Sequence, residues 1–98
     1  MRRYGKPDAN QAEIVEALRG IPDLSVLVLS AVGSSCPDLL IGYHGANLLV
    51  ELKNPEVYYN PNLPTMVKQA EFRKNWKGRV IQASSLKEII TELTGWNP

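Results

Sequence analysis

The chain has 98 residues, with 11 Lys+Arg against 10 Asp+Glu for a formal net charge of +1, and it is 44% apolar and 21% charged, ordinary values for a globular domain. Folding at this size buries roughly 65% of the unfolded chain's surface, enough for one core, so a single domain over residues 1–98 is expected. Excluded are a membrane span, a secretory signal at Met1-Arg2-Arg3-Tyr4, an internal disulfide (Cys36 is the one cysteine) and a Cys- or His-rich zinc centre (His44 is the one histidine); a cytoplasmic protein is expected.

Pro7-Asp8 opens a helical stretch, with Asp8 as N-cap and Gln11 three residues on, as in a capping box. Gln11, Ile14, Val15 and Leu18 recur at helical spacing, and Gly20 with Pro22 ends the helix. Residues 25–30 form a short apolar, partly β-branched run and read as a strand. Loop chemistry follows in Gly33-Ser34-Ser35-Cys36-Pro37. Residues 39–43 and 48–53 then read as a hairpin about a four-residue loop, His44 to Asn47. Residues 54–64 hold three prolines and two tyrosines and read as a loop. A helix is predicted over 66–77, capped by Thr65 and stopped by Gly78. Residues 79–83 are a fourth strand, and Ser84 or Ser85 caps a last helix carrying Leu86, Ile89, Ile90 and Leu93. The order α-β-β-β-α-β-α implies an α/β fold, a mixed four-stranded sheet flanked by helices.

Two features stand out from a plain structural domain. Glu51 and Lys53 interrupt an apolar strand, where ionisable groups are costly unless paired or hydrated. With Tyr43 opposite Leu48, Asp38 faces Lys53 across the hairpin, and alternation puts Asp38, Glu51 and Lys53 on one side of the sheet. Such a set serves either as a cross-strand salt bridge, Asp38–Lys53, or as a hard-cation site with a lysine beside it. Gln69 is the second feature. It shares a helix face with Phe72 and Trp76, which carries its amide toward the sheet, and Gln11 shares the face of Val15 and Leu18. Each glutamine either meets a carboxylate or metal-bound water there or has a local partner: a backbone group for Gln69, the capping box for Gln11.

The run Gly33 to Asp38, an apolar strand, a turn, Val50-Glu51-Leu52-Lys53, a loop and then Gln69 in the next helix resembles the PD-(D/E)XK nuclease superfamily. Within it the chain is most similar to the small phage-type VRR-NUC domains, relatives of the Holliday junction resolvases, over residues 8–93. The resemblance implies a restriction-endonuclease-like core and a Mg²⁺- or Mn²⁺-dependent deoxyribonuclease. Asp38, Glu51 and the carbonyl of Leu52 would hold the metal. Lys53 would position or activate the attacking water, and Gln69 would support it. Where the family often has a first-helix glutamate, this chain offers Gln11, with Glu13 close in sequence. Cys36 is read as a small filler beside the site, since thiolates suit softer metals. Tyr58 and Tyr59 would stack on bases, meet a partner subunit or simply pack the loop.

Charge is uneven along the chain: residues 1–50 carry four basic and five acidic groups, residues 51–98 seven and five. Lys68, Arg73, Lys74, Lys77 and Arg79 cluster with only Glu71 among them and fit either a solvated helix face or a track for a DNA backbone, for which Lys68, Arg73, Lys74 and Lys77 are the candidates. The expected activity is endonucleolytic hydrolysis of DNA, branched or duplex, by a homodimer with no small-molecule cofactor and no membrane partner. A non-catalytic DNA-binding or phage regulatory module on the same fold is the rival reading, and an RNA-processing nuclease a third.

Overall fold

The computed structural model describes residues 10–33 and 35–95; Pro7 and Asp8, read above as a helix start, and Ser34 lie outside them. Its elements are α1 (Gln11–Arg19), β1 (Leu24–Val28), β2 (Leu39–Tyr43), β3 (Ala46–Leu52), α2 (Pro64–Asn75), β4 (Val80–Ala83) and α3 (Leu86–Gly95). The sheet runs in sequence order, β1-β2-β3-β4. β1–β2 and β2–β3 pair antiparallel, and β3–β4 pair parallel. A parallel pair needs a long crossover, which is why α2 stands between β3 and β4 in the chain. The α/β class, the element order and the mixed four-stranded sheet agree with the sequence.

Alternation along the strands sorts the side chains. Leu39, Ile41, Leu48, Val50 and Leu52 join Ile14, Val15, Leu18, Ile89 and Leu93 in one buried cluster, so α1 and α3 contribute the helical side of the core. The intervening residues Leu40, Leu49, Glu51 and Lys53 point to the other face. There α2 lies over the sheet without one fully buried residue of its own. Phe72 of α2 and Trp76 just after it stack at 5.2 Å and 14°, and they line a cavity of about 510 Å³ with Leu40 and Leu49.

Four local expectations are corrected. The hairpin loop has two residues, not four: His44 at φ 52° and Gly45 at φ 81° are both left-handed, the type I′ combination whose twist matches the flanking strands. Tyr43 therefore pairs with Ala46 and Leu39 with Val50. The register moves by two residues, which leaves every side chain on its face. At α1 the N-cap position is Asn10, whose side chain makes no cap bond, so Gln11 is the first helical residue and closes no capping box. At α2 the N-cap position is Leu63, not Thr65; Pro64 occupies a first-turn position that needs no N–H, and Trp76, expected inside the helix, follows its end. Strand β1 starts one residue earlier and ends two earlier than the apolar run. At α3 the choice between serines resolves into shared work. Ser85 Oγ accepts the Glu88 N–H at 3.2 Å, while Glu88 Oε1 accepts the Ser84 N–H at 2.6 Å.

Candidate active site

The site is built on the end of β3. Glu51 and Lys53 alternate with Val50 and Leu52, so two ionisable side chains leave a strand whose other face is core. Both are buried, at 4% and 7% exposure, and burial is tolerable because they meet: Lys53 Nζ lies 3.5 Å from Glu51 Oε2. Asp38, the residue before β2, is tied to β3 twice. Its N–H donates to the Val50 carbonyl at 3.0 Å, and its Oδ2 accepts the Leu52 N–H at 2.8 Å. The corrected register sets Asp38 beside Glu51, rather than across from Lys53 as the four-residue loop implied. Because a strand residue's N–H and C=O leave on the same edge, the Leu52 carbonyl also faces the Asp38 side.

Burial pushes the Glu51 carboxyl up from its ordinary 4.5 to about 7; the Asp38 charge adds to the rise, and Lys53 and Arg73 oppose it. Burial also raises the Cys36 thiol, with Asp38 and then Glu51 adding to the effect, so Cys36 borders the same anionic spot.

Lys53 is surrounded. Its ammonium donates to Gln69 Oε1 at 2.6 Å, reaches Met66 Sδ at 3.5 Å and sits 4.4 Å from the centroid of the Tyr59 ring. Tyr59 is itself pinned, its hydroxyl accepting the Asn54 N–H at 3.0 Å. Gln69 thus points inward as its helix face predicts, and it meets the lysine directly.

Asp38, Glu51, Leu52, Lys53, Gln69 and Gln11 all line one cleft of about 340 Å³, together with Val57, Tyr58, Tyr59, Leu63 and Met66. Gln11 is at the cleft, but its Nε2 donates to Ser30 Oγ at 3.0 Å. Glu13 is elsewhere: it lines a separate cavity of about 440 Å³ with Glu56 and Ser84. That cavity is larger, yet its two ionisable groups have the same sign, so the opposed charges of the smaller cleft make it the candidate. Among the described residues, no group of three or more His, Cys, Asp or Glu side chains is placed to hold a metal; the cleft offers two carboxylates and a main-chain carbonyl.

The basic residues of α2 and its flank divide. Lys68, Lys74 and Lys77 are exposed. Arg73 is half-buried, its Nη1 shut off from solvent without a hydrogen-bond partner, and near enough to Glu51 to lower that carboxyl's pKa. Arg79 joins no basic track, since it pairs with Glu92 at 2.6 Å. Sequence reasoning missed the inward turn of Arg73 and the contact of Met66 with Lys53. Both were within reach: Met66 is three residues before Gln69 and Arg73 four after it, on one helix face. The ring of Tyr59 over Lys53 had no such signal, because a proline-rich loop has no period to read.

No protein-family model matches the chain, and no curated protein or solved structure gives a significant match to it.

Proposed function

We propose that the chain is a metal-dependent endonuclease that hydrolyses DNA phosphodiesters on a restriction-endonuclease-like core of the VRR-NUC, PD-(D/E)XK type. The observation that carries this reading is the meeting of Asp38, Glu51, Lys53 and Gln69 in one cleft, with Glu51 held protonatable near neutrality by burial and by Asp38. Two adjacent carboxylates that resist ionising together are short of positive charge, and their hard oxygens suit Mg²⁺ or Mn²⁺. Asp38, Glu51 and the Leu52 carbonyl would hold one such cation. When bound, the cation would polarise a phosphate oxygen and lower the pKa of a water.

The remaining work belongs to the chain's own side chains. Lys53, immobilised by Gln69, Met66 and Tyr59, presents a fixed positive charge where negative charge builds on the phosphate oxygens in the transition state. Water adds to phosphorus and gives up one proton to the solvent, the P–O bond to the departing strand breaks, and that oxygen takes a proton back from the solvent to leave as a hydroxyl. Gln69 fixes the ammonium's direction, and half-buried Arg73 adds a second cation near Glu51. Lys68, Lys74 and Lys77, exposed on the flank, hold the DNA backbone.

The test is cleavage of labelled duplex, flap and four-way-junction DNA with Mg²⁺, Mn²⁺ or EDTA. Wild type is expected to cut with metal only. Lys53→Ala should abolish cleavage while leaving affinity within a few-fold. Lys68→Ala or Lys74→Ala should weaken binding and flatten its salt dependence by about one phosphate contact each. A wild type that cuts no substrate, or a Lys53→Ala variant as active as wild type, overturns the reading.

A further inference from the structure

The cleft is lined by two chemically different sets of side chains: Asp38, Glu51, Lys53 and Gln69 are polar or charged, while Val57, Tyr58, Leu63 and Met66 are apolar or aromatic. Tyr58 is the outlier in that second set. It is 81% exposed, so core packing does not explain an aromatic ring there, yet the loop that presents it is tightly organised. Tyr59, its neighbour, turns inward to Lys53 and is anchored through its hydroxyl to the Asn54 N–H. The Val57 N–H donates to the Asn54 carbonyl at 3.0 Å, and the Glu56 N–H to Asn54 Oδ1 at 2.9 Å. Beyond the tyrosines, the Asn62 N–H donates to Asn60 Oδ1 at 2.9 Å, while Pro55, Pro61 and Pro64 restrict the backbone. Consecutive tyrosines therefore differ: Tyr59 grips the lysine, while Tyr58 lines the same cleft and stays open to solvent.

Resting on the nuclease reading of the same cleft, we propose that Tyr58 is a stacking platform for one unpaired base of the DNA, seated beside the phosphate that the charged side chains handle. A base in duplex has both faces covered by its neighbours and cannot lie against this ring. An unstacked nucleotide presents a π-face to Tyr58 and its phosphate to Lys53, and both residues line the same cleft. Tyr58 is thus a specificity-determining residue: it selects DNA with an unpaired nucleotide at the cut over fully paired duplex. Leu63, also exposed, lines the same cleft and offers apolar surface to the edge of the base.

The experiment uses two DNAs of one sequence, one fully paired and one with a single unpaired 2-aminopurine. Affinity is read by fluorescence anisotropy in EDTA, and stacking by quenching of the 2-aminopurine. Wild type is expected to bind the unpaired DNA about tenfold more tightly and to quench the probe. Tyr58→Ala should erase that preference, leave affinity for the paired DNA within twofold and abolish quenching; Tyr58→Phe and Tyr58→Trp should retain all three. Equal binding of the two DNAs by wild type, or an equal loss on both for Tyr58→Ala, overturns the proposal. Failure of the nuclease reading is separate: it appears as no cleavage of either DNA with Mg²⁺ or Mn²⁺, whatever the binding preference.

Discussion

Glu51 makes the strongest demand of any single residue on the fold. Its folded-state pKa of about 7 exceeds the ordinary 4.5, so between those values the folded chain binds a proton that the unfolded chain has released. Stability from this residue is complete below pH 4.5 and is lost as pH rises through 7, by on the order of 3 kcal/mol in all. Against total stabilities of about 5–15 kcal/mol that is a large share. Glu51→Gln should therefore be more stable than wild type at pH 8.5 and nearly equal to it at pH 4.5, as read by urea denaturation at both values. Under the proposed function, Mg²⁺ should raise the wild-type melting temperature more at pH 8.5 than at pH 5.5, and should leave Glu51→Gln unmoved.

Among the elements, α2 is held differently from the other two helices. It contributes Met66, Gln69 and Arg73 to the site region but no buried residue to the core, whereas α1 buries Ile14, Val15 and Leu18. Few buried apolar contacts mean a low free energy of local opening. Hydrogen exchange should accordingly release the amides of α2 well before those of α1 and α3, and Trp76→Ala should cost far less stability than Leu18→Ala, for which ~2–5 kcal/mol is typical. In the hairpin, Gly45→Ala should cost about 1–2 kcal/mol by placing a Cβ at φ 81°.

These contrasts also explain what was legible in the sequence. α3 and its serine cap, β2, and the break in β3 at Glu51 and Lys53 are local signals, read from period and composition. The turn was misread because His44 is a poor match for a position that favours Asn, Asp or Gly, so no dipeptide marked a two-residue hairpin. The start of α1 was misread because Asp8 and Gln11 imitate a capping box that Asn10 displaces. The shared face of Asp38, Glu51 and Lys53 survived the register error only because that error was even. Met66 and Arg73 share the helix face of Gln69 and so were readable by spacing, whereas the ring of Tyr59 over Lys53 depends on how the loop after β3 settles, and such packing leaves little trace in local pattern.

At the scale of the whole molecule, the sheet ends in β1, which pairs with β2 alone. Leu27 is 57% exposed on that edge strand, beside exposed Val28 and, in the loop after it, Val32. An apolar edge of this kind invites a second strand. The homodimer expected from the chain's size is proposed to form there. Light scattering at micromolar concentration should then report twice the 10.9 kDa mass. Leu27→Lys or Val28→Lys should return a monomer with unchanged far-ultraviolet circular dichroism, and a monomeric wild type would refute the proposal.

Asp38 is aimed by the main-chain N–H of Leu52, and this has a consequence for any genetic map of the protein. Every codon change at position 52 except one to proline keeps that donor, while the Leu52 side chain, on the core side, registers only as packing. A saturation screen would therefore score position 52 as a stability residue and overlook its part in orienting the carboxylate. Only chemistry that edits the backbone can expose it. Replacing the amide at Leu52 by an ester, through semisynthesis with the α-hydroxy acid, deletes the donor and spares the side chain. The ester protein should keep its fold and lose the one bond by which the Leu52 N–H holds Asp38, a defect that no inherited substitution at that codon reproduces cleanly.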